Sequence, residues 1–314
     1  MTATADEART QAQRLRAERR PFVSATVVRA ERPTSARAGD AAVVLEDGTI
    51  LGFVGGECAE ASVQAQALTA LASGEPVLLR ITPDADPAEG PAGTAGGEGD
   101  PGTVTVQNPC LSGGTLEVFL EPTLPPPLVV VHGDAPIARA VRGLAGWLGW
   151  DVRPWGDESH GAAGGTDAVV VASHGGDEHA VLAAALADDV PYVGLVASPR
   201  RGVAVLAALD VPDDRRARVS TPAGLDIGAR SPEEVALSIL AEIVDSRPRP
   251  RRRSADLRQP AGAAAATAVD PVCGMTVAAV DATRHVDHAG TRYRFCGSGC
   301  EEAFRADPAA FVRP

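Results

Sequence analysis

The sequence predicts an α/β chain in three units: an N-terminal α+β module, a parallel α/β domain and a small cysteine-containing α+β unit. Three observations carry this. A β-rich first third contains a clear hairpin signal at Asp47-Gly48. Strands and helices then alternate from residue 128, the pattern of a parallel sheet with crossover helices. An Arg/Pro/Ala-rich stretch, 247–268, precedes about 45 residues that hold three of the chain's five cysteines.

Residues 5–20 read as a mostly polar surface helix and 22–28 as a β-branched strand. Apolar runs on either side of Asp47-Gly48 form a hairpin, since Gly tolerates the positive φ of a tight turn. Residues 57–72 have helical spacing, with Gly74 to stop them. Strands follow at 77–81, 104–107 and 116–120, and Pro122 to Pro127 is a stiff connector. The segment 84–102 is Pro-, Gly- and acid-rich and reads as a loop. The second domain runs strand 128–132, helix 136–148, strands 151–154 and 167–172, helix 177–188, strand 190–196 and helix 200–209. Ser231-Pro-Glu-Glu234 starts a last helix, with an N-cap, a first-turn proline and acid near the positive dipole end. The boundaries are therefore 1–122, 127–246, a linker 247–268, and 269–314.

Composition excludes several functions. Every one of the 29 basic residues is Arg, so there is no phosphate-loop or Schiff-base lysine. A net charge of −12 disfavours nucleic acid and anionic membranes as partners. The N-terminus lacks the apolar segment of a signal peptide, and no run is long enough to span a membrane, which points to a cytoplasmic protein. Five cysteines in 314 residues are too sparse for a disulfide scaffold.

Cys273, Cys296 and Cys300 form the densest chemical signal. Gly297 and Gly299 allow a tight turn between the last two, placing Cys300 near a helix N-terminus, where thiolate is favoured. Three thiols fit a divalent or soft metal such as zinc or copper. Asp270, His285, His288, water or a partner group compete for a fourth position, and Met275 reads as core. The segments DPVCGM, YRFC, CGSGC and EEAFRADPAAF, over 269–312, resemble a YHS domain, and that resemblance implies metal binding by the three cysteines.

In the first domain Gly55-Gly56 precedes Cys58 at a strand-to-helix turn, where a ligand can approach the backbone. Glu57 and Glu60 oppose a thiolate there by like charge. Cys110 lies in a second glycine-rich loop. The two thiols either line a site for a sulfur-bearing ligand or are small buried residues. In the second domain Gly133 alone survives of a three-glycine dinucleotide turn. Ala135 crowds a pyrophosphate, and Pro136 removes a phosphate-binding N–H. Asp157 is a weak candidate for a ribose hydroxyl. The domain is therefore Rossmann-like in fold, with NAD(P) disfavoured as ligand. His174 and Asp177 follow a strand C-terminus, where open α/β sheets bind ligands, although Asp177 suits a helix cap as well. Arg230, in a loop with Gly224, Asp226 and Gly228, can grip a phosphate or anchor the loop.

Residues 33–60, 108–122, 193–201 and 221–239 resemble the XdhC/CoxI family, over a span of about 22–245. The sequence departs from that family's Cys-Gly-Gly segment by Leu111-Ser112 after Cys110, and the 86–102 loop looks like an elaboration. The resemblance implies an accessory chaperone rather than an enzyme. Such a protein binds molybdenum cofactor transiently and helps mature a xanthine or carbon monoxide dehydrogenase-like hydroxylase. Gly55, Gly56, Cys58, Cys110, Gly133, His174, Asp177 and Arg230 are the candidate cofactor residues. The apo-hydroxylase is the implied partner, with a cysteine desulfurase and a second copy of the chain as further ones. An NAD(P)-dependent oxidoreductase and a heavy-metal trafficking or sensing protein are the competing readings.

Overall fold

The computed structural model describes residues 5–83, 102–108, 114–156, 165–173, 175, 177–247 and 266–312. The chain divides into two compact units, one formed by Met1–Pro125 with Pro250–Pro314, the other by Pro126–Arg249.

The first unit begins with α1 (Ala5–Ala17), β1 (Phe22–Ala30), β2 (Ala41–Leu45), β3 (Ile50–Gly52), α2 (Glu57–Ser73), β4 (Val77–Thr82), β5 (Thr103–Gln107) and β6 (Leu116–Thr123). The strands form one mixed sheet in the order β3-β2-β1-β6-β4-β5. Alternation along β1 sorts its side chains between two layers. Phe22 joins Val43 beneath Ala8, Ala12 and Leu15 of α1. Val23, Ala25 and Val27 face the other way, into a core shared with Val63 and Ala67 of α2. The hairpin turn has Gly48 at φ +85°, and the Asp47 carboxylate accepts from Thr49 N at 2.8 Å. Strand β6 runs further than its sequence suggests, pairing Pro122 with Val23 of β1. Its other neighbour, β4, has ended opposite Leu120, so the proline sits at a ragged sheet end where its missing N–H is tolerated.

The second unit contains β7 (Leu128–His132), α3 (Pro136–Trp147), β8 (Asp151–Pro154), β9 (Ala168–Val171), α4 (Glu178–Ala187), β10 (Tyr192–Leu195), α5 (Pro199–Ala207), α6 (Asp213–Arg216), β11 (Val219–Ser220) and α7 (Pro232–Ser246). All its strands are parallel, in the order β11-β10-β9-β7-β8. Numbered within the unit this is 2-1-3-4-5, a doubly wound sheet whose connections change direction beside β7. Val129 and Val131 pack under α3 and α7, whereas Val130 packs under α4 and α5. Strand β7 is thus buried on both faces, which is why it reads as an unbroken apolar run. The short elements α6 and β11 gave no periodic signal because each is under five residues.

The chain returns to the first unit with β12 (Thr267–Val269), β13 (Thr276–Ala278), β14 (His285–His288), β15 (Thr291–Arg294) and α8 (Ser298–Ala306), closed by a 3-10 turn at Pro308–Ala310. The two strand pairs are antiparallel. Phe304, fully buried, lies 4.9 Å from Tyr293 and 5.2 Å from Phe295 between ring centroids.

This small domain packs onto α2. Ala61 contacts the cluster of Met275, Val277 and Cys296, and Ala65 and Leu68 pack on Ala278. Helix α2 is therefore covered on two sides, by its own sheet and by the C-terminal domain. That explains a sequence with small and apolar residues around most of its circumference. Gln64, itself buried, joins the layers: its amide donates to Gly48 O at 2.8 Å and its carbonyl oxygen lies 2.9 Å from the Thr283 hydroxyl. Among the described residues no helix is long and apolar enough to cross a membrane.

Candidate functional site

Cys273, Cys296 and Cys300 come together. The Sγ of Cys296 lies 3.6 Å from that of Cys273 and 3.8 Å from that of Cys300. Tight turns set this up. Gly274 takes φ +78° after Cys273, and Gly297, the N-cap of α8, has little room for a Cβ, which would lie 3.0 Å from the Glu57 carboxylate. Asp270, fully buried, ties the two thiol-bearing segments together. Its Oδ1 accepts from Val272 N at 2.9 Å and Cys273 N at 3.4 Å, and its Oδ2 accepts from Cys296 N at 2.8 Å.

A metal suits this donor set. Four thiolates around zinc at roughly 2.3 Å stand about 3.8 Å apart, close to the separations seen. One donor atom each from Asp270, Cys273, Cys296 and Cys300 can be chosen with all of them within 4.8 Å of one another. The thiols differ in acidity. Cys273 is held below the usual thiol value, chiefly by the hydrogen bond from Cys296. The same contact pushes Cys296 up, and burial pushes Cys300 up to about 12. The histidines proposed for the fourth position are placed elsewhere. His285 Nδ1 is 2.9 Å from Thr283 O, and His288 packs edge-on against Phe304 at 6.0 Å. Met275 is core.

Cys58 is brought to the same cluster, 4.0 Å from Cys296 between sulfurs. Its neighbour Glu57 is turned onto the C-terminal domain. One carboxylate oxygen accepts from Ser298 N at 2.6 Å and Ser298 Oγ at 2.8 Å, capping α8, while the other takes Arg284 at 2.8 Å. The Ser298 backbone N–H, above all, holds the Glu57 carboxyl below its ordinary range. The like-charge opposition expected from Glu57 is thus offset by Arg284 and the α8 N-terminus, and burial pushes Glu60 towards its neutral form. Cys58 and Gly56 also line a cleft of about 280 Å³ in the N-terminal module, with Thr34, Ser35, Asn108 and Gly114. Gly55, at φ +143°, packs on Ala59 and Leu116 instead. Cys110 lies outside the described residues, as does most of the 86–102 loop.

In the second unit a cleft of about 870 Å³ opens at the C-terminal ends of the strands, beside the change of direction. Ala135, Ser173, Ser198, Arg201 and Asp226 line it. Gly133 does not, and its conformation has another cause. At φ +98° a Cβ there would lie 2.3 Å from Ala172 O, so close strand-end packing requires glycine. The Gly133 carbonyl accepts from Arg142 at 2.7 Å, a contact internal to the turn. Asp177 is exposed at the N-cap position of α4 without a side-chain cap bond, and His174 and Asp157 lie outside the described residues. Arg230 is exposed, its backbone N–H held by Glu234 at 2.7 Å.

Two groups that sequence reasoning passed over organise this cleft. Glu178, buried, takes both oxygens to the Arg201 guanidinium at 2.8 and 2.6 Å. Glu242 of α7 accepts from the Tyr192 hydroxyl at 2.6 Å, the Ser220 hydroxyl at 2.7 Å and Gly224 N at 2.6 Å. Both lie in helices whose acidic residues look like solvated surface, so only the buried partners reveal them.

Comparison with known proteins agrees with this architecture. A model of the XdhC and CoxI family matches residues 15–82, the XdhC Rossmann domain matches 129–243, and the YHS domain matches 268–314. The uncharacterized protein YqeB of Escherichia coli (strain K12) is 28% identical over 263 residues, 75% of this chain and 45% of that protein. A probable xanthine dehydrogenase subunit of Bacillus subtilis (strain 168) is 34% identical over 84 residues, 26% of this chain and 24% of that protein. The chain thus spans less than half the length of these curated relatives. A solved structure described as a xanthine dehydrogenase from Bacillus halodurans aligns with a TM-score of 0.34 and 16% identity, covering 81% of this chain and 98% of that one. With the two XdhC models together covering more than half of its residues, the chain belongs to the XdhC/CoxI family and carries a YHS domain at its C-terminal end.

Proposed function

We propose that this protein is an accessory factor that binds molybdenum cofactor and assists its maturation and insertion into a xanthine or carbon monoxide dehydrogenase-like hydroxylase. The observation that supports this most is the large cleft at the strand ends of a family Rossmann domain whose phosphate turn is unsuited to a dinucleotide. Its volume of about 870 Å³ lies within the range of small-molecule sites. Its lining offers Ser173, Ser198, Arg201 and the N-terminus of α5 to a phosphorylated pterin, and small residues such as Ala135 and Ala197 leave room for rings. The oxidoreductase reading is weaker. Gly133 serves strand packing, and Pro136 occupies the first turn of α3. The cofactor is cargo here, and the apo-hydroxylase, with a cysteine desulfurase as sulfur source, is the proposed partner. The three YHS thiols add a resident site for a thiophilic metal.

The test is purification under anaerobic conditions from a host with an intact molybdopterin pathway, followed by metal analysis and pterin extraction. Stoichiometric molybdenum and pterin are expected, and Ala135→Phe, which fills the cleft, is expected to lose both with its fold intact. Zinc or copper without pterin would overturn the proposal in favour of metal handling.

A further inference from the structure

Among the described residues of the YHS domain, the candidates for a fourth ligand beside the three cysteines are already engaged. Both Asp270 oxygens accept backbone N–H groups, His285 points Nδ1 at the Thr283 carbonyl, and His288 lies against Phe304. A further thiol approaches them from the N-terminal module. Cys58, in the first turn of α2, stands 4.0 Å from Cys296, completing a run of sulfur separations of 3.6, 3.8 and 4.0 Å about one thiol. The approach is held on both flanks. Glu57 caps α8 and pairs with Arg284, and one turn on Ala61 packs into the cluster that contains all four thiols.

We propose that Cys58 is the fourth ligand of the metal site, giving a tetrahedral four-thiolate shell, selective for an ion such as zinc(II), shared between the XdhC module and the YHS domain. This rests on the reading of Cys273, Cys296 and Cys300 as ligands. Each thiol releases its proton to solvent as the ion binds, and rotation of the short Cys58 side chain brings its sulfur in. Asp270 then acts through backbone N–H groups as a positioning residue. Cys58 also lines the N-terminal cleft. Metal binding therefore withdraws that thiol from the cleft, linking the metal state of one domain to the ligand site of another.

The experiment uses the full chain, reduced and stripped of metal, then loaded with zinc(II) for X-ray absorption and with cobalt(II) for its thiolate charge-transfer bands. The wild type is expected to show a shell of four sulfurs. Cys58→Ser is expected to show three sulfurs and one oxygen, weaker cobalt bands, and zinc affinity reduced at least about tenfold, no less than the loss of an outer-shell partner. Cys300→Ser serves as the reference for losing a ligand. Three sulfurs in both wild type and Cys58→Ser would overturn the role of Cys58 and leave the YHS site standing. No stoichiometric metal in the wild type would overturn the site itself.

Discussion

Docking of the C-terminal domain on α2 can be measured through one buried pair, Gln64 and Thr283, which lie 219 residues apart in sequence. In Gln64→Ala the carbonyl of Gly48 loses its amide donor beneath the docked domain. A buried acceptor left unpaired costs about 1–3 kcal/mol. The one lost side-chain methylene adds roughly 1 kcal/mol. The expected cost to the first unit is therefore about 2–4 kcal/mol. In Thr283→Val the hydroxyl disappears while its shape is kept, and the proton it shares between Gln64 Oε1 at 2.9 Å and Ala278 O at 2.7 Å goes with it. The double variant should then show a coupling of about 0.5–1.5 kcal/mol, the net value of one neutral hydrogen bond. Hydrogen exchange of α2 and β13 peptides is the suitable assay, since 1 kcal/mol changes protection about fivefold. Tryptophan fluorescence supplies an internal control, because Trp147, Trp150 and Trp155 all lie in the second unit, whose unfolding should not move. Additivity of the two substitutions within about 0.3 kcal/mol would refute the contact.

Glu57 should make docking acid-sensitive. Its carboxyl is held low in the folded state, so its contribution is present above the usual glutamate range and is lost as pH falls through the depressed value. Glu57→Gln should flatten that pH dependence in the exchange of α8, and Glu57→Ala should cost about 1 kcal/mol as a lost helix cap. Zinc binding at neutral pH should release protons from the ligand thiols, Cys296 and Cys300 above all because both are pushed above the usual thiol value, so apparent affinity should rise with pH in calorimetric titrations. Glu242→Ala should destabilise the second unit by about 2–5 kcal/mol, because Tyr192, Ser220 and Gly224 N all lose their acceptor. Here tryptophan fluorescence is the readout, and an unchanged midpoint would count against the network.

Much of the fold could be read from the chain because its signals are local. The unbroken apolar run at 128–131, the Asp47-Gly48 turn and the Ser231 capping box each act within a few residues. The YHS thiols were legible as well, since their spacing and flanking glycines impose the geometry. Cys58 was singled out, but for its own glycine turn. Nothing near it in sequence announces a partner 238 residues away. The signal that was present lies in α2, whose apolar residues wrap too much of the helix for a single buried face. Gly133 reads two ways in the sequence, because a steric need at a strand end looks the same as a ligand's need for open backbone. Glu178 and Glu242 were hidden because an acidic residue on a helix is usually solvated, and only the fold supplies Arg201 and Tyr192 as partners.

The joining of Cys58 to the three YHS cysteines is the feature on which the two-domain site depends, and thiol footprinting of the full chain tests it most directly. Reduced protein, with and without one equivalent of zinc(II), is treated with isotope-labelled iodoacetamide, and each cysteine is read by mass spectrometry. Protection of Cys58 together with Cys273, Cys296 and Cys300 is the predicted result. Protection of those three, with Cys58 alkylated at its metal-free rate, would contradict it.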